Sequence, residues 1–232
     1  MKTFENKTFD GLGTDFRWSR RVCDLQFFQC HFLSSYTSPT KNPSKRFWVQ
    51  NVHIKNCTHQ ACSLHTTILE DIVVDGLQQK GRSPLFLWGC AFRHVKLAGK
   101  ISAPKINAVA SLSPSPSEIT LWRNSDTNFY LEVDWALDIS EAKFNTVFDI
   151  PGVPANLIRR DPESQIIVRR DNLLASTWKP TAKAEIWSVG LKWFLESGYP
   201  DIVMVAGKSN PKYKQWKDDI KRLRDIGVAE TD

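Results

Sequence analysis

The chain has 232 residues, of which 41% are hydrophobic and 24% are charged. These values are typical of a globular protein with a substantial core and exclude a chain that is disordered throughout. The 31 Lys and Arg residues outnumber the 25 Asp and Glu residues, and the formal net charge is +6. A basic balance favours an acidic partner, either nucleic acid or an acidic protein face, and argues against mimicry of DNA, which needs a negative surface.

The start of the chain and its cysteines indicate a reducing compartment. The first 13 residues, MKTFENKTFDGLG, lack the apolar stretch of a secretory signal peptide. No segment approaches the roughly 20 apolar residues that span a bilayer. The cysteines are five in number, an odd count that argues against a disulfide framework. We therefore expect a cytoplasmic protein whose thiols are reduced and mostly lie in the core.

A five-residue repeat dominates the segment from residue 51 to residue 80, which divides into NVHIK, NCTHQ, ACSLH, TTILE, DIVVD and GLQQK. The second and fourth positions of these groups, mostly apolar or small, are Val52, Ile54, Cys57, His59, Cys62, Leu64, Thr67, Leu69, Ile72, Val74, Leu77 and Gln79. A helix would repeat near 3.6 residues and a strand near 2. A period of five predicts instead a squarish coil in which each side takes one group, two residues of each group point inward, and neighbouring coils pair through backbone hydrogen bonds.

The same spacing occurs before and after this segment in shifted register. Pairs of inward positions recur at Leu25/Phe27 with Cys30/Phe32, at Cys90/Phe92 with Val95/Leu97, and at Leu137/Ile139 with Ala142/Phe144. The pattern resembles the pentapeptide-repeat family, although the family's usual Ala-(Asp/Asn)-Leu wording is degraded. The resemblance implies a mainly β fold for residues 1–150, a short, irregular, right-handed β-solenoid. It also implies a possible topoisomerase-protecting role, which depends on DNA mimicry in some members and which the +6 charge opposes.

Several segments interrupt the repeat. Residues 34–46 and 80–84 are rich in Ser, Thr, Pro, Gly and Lys and predict surface loops, and residues 111–118 predict a flexible crossing. Apolar residues then alternate with polar ones from residue 129 to residue 139, which predicts a strand.

Residues 151–232 predict a C-terminal α/β cap or small domain that carries two helices. QIIVRR (165–170) and DIVMVAG (201–207) predict short strands. One helix is expected from an N-cap at Thr181 to a stop near Gly198, and the other after Asn210 and Pro211. The apolar stripe of the second helix is expected to pack against the solenoid, because the open end of a solenoid core needs a cover.

Two segments suggest chemistry that their context does not support. AGKSN (206–210) lies between a predicted strand and helix, but it lacks the first glycine of a phosphate-binding loop, so we interpret it as a surface turn. Glu141 and Lys143, with Asp134 or Asp138, have the residue types of a metal-dependent nuclease. The five-residue spacing places Glu141 and Lys143 at outward positions, which weakens that hypothesis.

Four zinc-type ligands occur within nine residues: Cys57, His59, Cys62 and His65. The spacing favours core thiols, one buried and hydrogen-bonded histidine at position 59, and an outward histidine at position 65 over a tetrahedral zinc site. A Cys–His nucleophilic pair stays an open alternative, although no local signature supports it. Because no nucleophile elbow or dinucleotide fingerprint is present, we expect no enzymatic activity, no metal and no cofactor.

The most suggestive binding residues are the arginines of a duplicated Arg-Arg-Asp sequence: Arg159, Arg160, Arg169 and Arg170. Arginine suits interfaces and phosphates alike, although such a cluster can also be solvated and internally paired. We expect a non-catalytic protein-binding protein, and for a small bacterial protein of this kind an inhibitor or immunity protein that neutralises a toxin with an acidic face. Nucleic-acid binding, with or without metal-dependent nuclease activity, is the alternative.

Overall fold

The computed structural model describes residues 1–13, 21–109, 115–178 and 187–231, and these residues form a mainly β fold. The strands are β1 (Lys2–Glu5), β2 (Thr8–Asp10), β3 (Arg21–Phe28), β4 (His31–Leu33), β5 (Phe47–Gln60), β6 (Ser63–His65), β7 (Thr67–Gln79), β8 (Phe86–Trp88), β9 (Ala91–Ile101), β10 (Lys105–Asn107), β11 (Leu137–Asp138), β12 (Ala142–Phe144), β13 (Phe148–Ile150), β14 (Ile158–Arg159), β15 (Gln165–Arg169) and β16 (Asp201–Val205). The helices are α1 (Pro116–Tyr130), α2 (Arg170–Ala175), α3 (Ser188–Ser197) and α4 (Tyr213–Asp225).

Two parallel sheets contain most of the strands. The larger has ten strands, with the main order β1-β3-β5-β7-β9-β11-β14, and the smaller has the order β10-β8-β6. Val52 on β5 pairs with Ile72 on β7, an offset of 20 residues, which corresponds to four groups of five. This parallel stacking is compatible with a β-helix or solenoid.

The backbone carries the five-residue period directly. Left-handed φ angles between 46° and 82° occur at every fifth residue: Asn51, Asn56, Ala61, Thr66, Asp71, Gly76 and Gly81. The first six of these residues begin the six groups of five, and Gly81 continues the same spacing. A single left-handed residue bends an extended chain, and Gly, Asn and Asp adopt this conformation most readily. Ala61 and Thr66 adopt it at a cost in free energy, because a Cβ atom crowds the following carbonyl oxygen.

Inward side chains of successive strands lie in register. One column is Leu25, Val52, Ile72, Val95, Leu137 and Ile158, each paired with the next across neighbouring strands. All but the first are at most 6% exposed. The positions that the repeat predicts to point inward therefore supply the core of the parallel sheets. Their apolar contacts are the main source of stability for this part of the chain, since burial of each such side chain contributes about 1.5–3 kcal/mol.

The strand predicted over residues 129–139 is wrong, because its first part ends a helix. Ser115 caps α1, and Glu118 completes a reciprocal capping box with it. Trp122, Asp126 and Tyr130, spaced at four residues, form the buried face of this helix. Leu131, which fits the alternation, is 79% exposed, and only Leu137–Asp138 within that range is a strand. Of the predicted crossing at 111–118, residues 111–114 lie outside the described residues and 116–118 begin α1.

An antiparallel sheet of order β13-β16-β15 joins the C-terminal region to the parallel sheets. Ile167 and Val203 point toward the core of the parallel sheets. Ile166 and Met204, one residue away on each strand, point into a second core with α3 and α4. The sheet thus separates two hydrophobic cores. Strand pairing also crosses the predicted boundary between residues 150 and 151. β13, before the boundary, pairs with β16 after it, and β14, after the boundary, pairs with β11 before it.

The C-terminal helices match the prediction in part. α3 ends at Ser197 with Gly198 as its C-cap, whose φ is 76°, which agrees with the predicted stop near Gly198. The expected start at Thr181 lies outside the described residues. Asn210 accepts a hydrogen bond from the Lys212 amide, and α4 begins at Tyr213. The buried stripe of α4, made by Trp216, Ile220 and Leu223, packs into the second core, so the expectation that it contacts the solenoid is wrong. The antiparallel sheet already covers that side.

None of the helices in the described ranges combines the length and the apolar character that crossing a membrane would need.

Candidate functional site

An exposed cluster lies where β9, β11 and β14 pair at one end of the larger sheet. We call it the Trp135 patch, formed by Asp71, His94, Asp134, Trp135 and Arg159. The parallel register places Lys96, Asp138 and Arg159 side by side on these three strands, and the His94 amide donates to the carbonyl of Trp135. Residues far apart in the chain therefore meet because these strands are neighbours in the parallel sheet.

The indole of Trp135 contacts a guanidinium and an imidazole. The guanidinium carbon of Arg159 lies 4.4 Å from the centroid of the indole, and the His94 ring centroid lies 4.9 Å from it at an interplanar angle of 37°. Arg159 is exposed. It forms no ion pair with any residue in the described ranges, so its donors face solvent while its charge is held over the ring.

The imidazole of His94 lies between two carboxylates. Its Nε2 is 2.6 Å from Asp134 and its Nδ1 is 3.1 Å from Asp71. Both nitrogens can donate at once only when the ring is protonated. The hydrogen bond to Asp134 raises the pKa of His94, and the same bond lowers the pKa of Asp134. The arrangement favours the protonated form of the ring beside the indole and orients both carboxylates.

Two of the four predicted binding arginines, Arg169 and Arg170, bond to other residues of the C-terminal region. Arg169 forms ion pairs with Glu230 at 2.6 Å and with Asp201 at 2.8 Å. Arg170 donates to three backbone carbonyls near the end of α3, at 2.7–2.8 Å, and so satisfies acceptors that the helix leaves open. These carbonyls belong to Phe194, Leu195 and Tyr199. The donors of both arginines thus hold β15, α3 and β16 together.

Arg159 and Arg160 are neighbours with different surroundings. Arg160 is half-buried and donates to the Gln165 carbonyl at 2.7 Å. Burial lowers the pKa of its guanidinium. Arg159 points to solvent at the Trp135 patch. Of the four arginines, Arg159 is the one that the structure describes as exposed.

The carboxylates of the nuclease hypothesis have separate partners. Glu141 and Lys143 are exposed, as the repeat predicts, and Glu141 pairs with Lys96 at 2.9 Å. Asp134 pairs with His94, and Asp138 accepts a hydrogen bond from Ser140. Within the described ranges, no group of three or more His, Cys, Asp and Glu side chains is arranged to hold a metal ion.

The cysteine–histidine segment lies partly in the core, as predicted. Cys57 and Cys62 are buried, and their thiols donate to backbone carbonyls. His65 stacks on Trp88, with centroids 6.3 Å apart. His59 is buried at 2% exposure, but its Nδ1 has no hydrogen-bond partner among the described residues. The hydrogen bond predicted for His59 is therefore not found at Nδ1.

The AGKSN segment forms a tight turn after β16. Lys208 contacts Asp161 at 2.6 Å and Glu163 at 3.4 Å. A Cβ atom on Gly207 would lie 2.5 Å from the Thr146 amide nitrogen, so this glycine permits close backbone packing. The lysine therefore makes ion pairs at the surface turn.

The Trp135 patch was missed from the sequence. Asp71 and His94 each begin a group of five and have left-handed φ angles, and their side chains meet on neighbouring strands. Their shared position in the repeat was the signal that the sequence offered. No protein-family model matches the chain, and no curated protein or solved structure matches it at a significant level. The function is therefore inferred from the geometry of the patch and the scaffold.

Proposed function

We propose that residues 1–150, with interruptions, form an irregular right-handed β-solenoid of the pentapeptide-repeat kind. The offset of 20 residues between Val52 and Ile72 supports four groups of five in one coil. The left-handed residues at every fifth position support a bend between the groups. Such a scaffold presents side chains on a rigid surface, which reduces the entropy lost on binding.

The proposed function is non-catalytic binding of another protein through the Trp135 patch. The observation that carries this proposal is the exposed Arg159 guanidinium stacked on Trp135. Trp and Arg are the residue types most enriched among those that dominate binding energy at interfaces. Here β14 fixes the backbone of Arg159, and the His94 amide donates to the Trp135 carbonyl at 3.2 Å. The stacking orients the guanidinium before a partner arrives.

The partner that fits best is a protein with an acidic face. Arg159 forms no ion pair with any residue in the described ranges, and the chain carries a net charge of +6. Opposite charges across an interface accelerate association and select partners. An inhibitor or immunity protein that neutralises a toxin by direct binding uses such a surface. Arg159 is the proposed contact residue, and Arg160, Arg169 and Arg170 are proposed to support the neighbouring backbone.

The first experiment is affinity capture of the tagged chain from its source cells. The extract is treated with nuclease, the complex is washed at two salt concentrations, and retained proteins are identified by mass spectrometry. One stoichiometric protein retained at both salts supports the proposal and names the target. Loss of every partner after nuclease or added salt contradicts it and favours nucleic-acid binding, since phosphate contacts weaken steeply with salt.

Variants of the patch then test the proposed contact. Arg159→Ala and Trp135→Ala are each expected to weaken binding of the captured protein by tenfold or more, or about 1.4 kcal/mol. Lys143→Ala, an exposed cation outside the patch, is the matched control and is expected to leave the affinity unchanged. Equal effects of all three variants would show that general charge, and not the patch, governs binding.

Nucleic-acid binding is the second candidate, supported by the net charge and by the basic residues of α4. Part of that charge is already paired, because Lys217 contacts Glu163 at 2.5 Å and Arg222 contacts Asp219 at 3.3 Å. Nuclease activity that is lost with chelator and with Glu141→Ala would establish the catalytic version of this alternative. An effect on gyrase supercoiling would instead revive the topoisomerase-protecting role.

A further inference from the structure

A cavity of about 660 Å³ lies inside the stack of parallel strands. Its walls are mostly the apolar inward side chains of the repeat, among them Phe27, Val52, Ile72, Val74, Phe92 and Leu97. Protein interiors are normally packed as densely as organic crystals, whereas ligand pockets measure about 300–1,000 Å³. The volume of this cavity is therefore that of a binding site and exceeds an ordinary packing defect.

The cavity is elongated, and among the described residues its wall is most exposed near β1. Its lining runs from Phe4 on β1 to Ile139 after β11, and these strands are five spacings apart, or about 24 Å. Lining residues near β1 and at the start of β3, such as Lys2 and Arg21, are exposed, whereas Phe92 on β9 is 2% exposed. Within the described part of the chain, this gradient places the mouth near β1 and the closed end beneath the later strands.

Few polar side chains interrupt the apolar wall, and His59 is one of them, at an inward position of the repeat. Phe9, Phe32 and His59 face one another in register on three successive strands, so His59 takes the place of a third phenylalanine. It lies two strand spacings, about 10 Å, from Phe9. His59 lines the cavity, is 2% exposed, and its Nδ1 has no hydrogen-bond partner among the described residues. A buried polar atom without a partner costs free energy, and a hydrogen-bonding ligand would remove that cost.

The charges of the wall limit what the ligand carries. Burial and the nearby His31 lower the pKa of His59 to about 4, so the imidazole is neutral at pH 7. The cationic side chains of the described lining, Lys2 and Arg21, are both exposed near the mouth. A charged group deep in the cavity would therefore lack a counter-ion, and desolvation would oppose its entry.

We propose that this cavity binds a single-chain, lipid-like molecule that carries an uncharged hydroxyl or carbonyl group, with that group hydrogen-bonded to Nδ1 of His59. The hydrocarbon chain occupies the apolar interior. The inference is independent of the Trp135 patch, which lies on the outer surface of later strands.

The first test is a titration of the full chain with 1-decanol, followed by calorimetry and by the imidazole nitrogen resonances of His59. Saturable one-to-one binding with a shift at Nδ1 is the expected result. His59→Leu is expected to weaken decanol binding by about fivefold, the loss of one hydrogen bond. His53→Leu, on the same strand but outside the lining, is the matched control and should bind decanol as the wild type does. Absence of saturable binding up to the solubility limit of decanol would overturn the proposal.

A second variant tests the cavity itself. Val74→Phe adds a ring to a side chain that lines the interior and is 6% exposed. If the interior has room for a ligand, the variant should weaken decanol binding by tenfold or more while its Tm stays equal or rises. A fall in Tm would mean that the interior is already filled, because overpacking destabilises a dense core. That result, or unchanged decanol affinity in a folded variant, would also overturn the proposal.

Discussion

Acidification should destabilise the protein through His59. Burial and His31 lower the pKa of His59 from 6.5 to about 4 in the folded chain, whereas the unfolded chain keeps the ordinary value. Between these two values the unfolded state binds more protons, so the free energy of unfolding falls as the pH falls. The contribution of the neutral ring is complete above about pH 6.5. A difference of about 2.5 pKa units corresponds to a loss of roughly 3 kcal/mol by pH 4.

The assay is urea denaturation of the wild type and of His59→Leu at intervals from pH 7 to pH 4. The difference between the two proteins isolates His59, because other groups titrate in both. Asp126, for example, has its pKa raised to about 6 by burial and contributes a slope of the opposite sign. The stability of the wild type relative to the variant should fall by roughly 3 kcal/mol across this range. A difference that stays constant with pH would refute the reasoning.

His94 provides a control of opposite sign. Its hydrogen bond to Asp134 raises its pKa in the folded chain, so its contribution is present in acid and is lost as the pH rises through the folded pKa. The stability of the wild type relative to His94→Gln should therefore fall toward alkaline pH. The same slope for the His59 and His94 variants would show that a general charge effect, and not the two environments, dominates.

Three further stability changes follow from the structure, each measured by urea denaturation. Ala61→Gly should raise the free energy of unfolding by about 0.5–1 kcal/mol, since φ is 52° there, and a decrease would contradict the strain argument. Ser115→Ala should lower it by about 1 kcal/mol by removing the cap bonded to Glu118, and no change would show that α1 is held by packing alone. Arg46→Met should lower the free energy of unfolding by about 3–5 kcal/mol, because it leaves the Asp126 carboxylate buried and unpaired. The loss should be smaller at pH 5, and a loss independent of pH would point to packing instead.

Much of the parallel-sheet region could be predicted because the information is local. Within each group of five, two inward residues repeat, and this spacing is visible in the sequence without knowledge of distant contacts. The outward placement of Glu141 and Lys143 was predicted in this way. The helix α1 was missed although its signal was present, since Ser115, Pro116 and Glu118 have the spacing of a capping box.

The candidate site depends on distant contacts, and for that reason it was missed. Trp135 meets His94 and Arg159 because β11 pairs with β9 and β14, and the intervening helix hides this register in the sequence. The duplicated Arg-Arg-Asp sequence suggested four equivalent arginines. Their roles differ because Arg170 satisfies the end of α3 while Arg159 lies on the sheet surface. The two Arg-Arg-Asp segments are thus identical in sequence but lie in different environments.

The register of the larger sheet has a consequence for how such a chain can diversify. Val52 pairs with Ile72 after 20 residues, Ile72 pairs with Val95 after 23, and Val95 pairs with Leu137 after 42. Pairing between neighbouring strands thus does not depend on the length of chain that connects them, and the helix α1 lies within one of these intervals. Surface segments can therefore be lengthened, shortened or exchanged while the strands keep their partners. The paired strands are thus a constant framework, and peptides of different lengths should be accepted in an exposed loop such as residues 80–84, whereas α1 is held by its buried ion pair with Arg46.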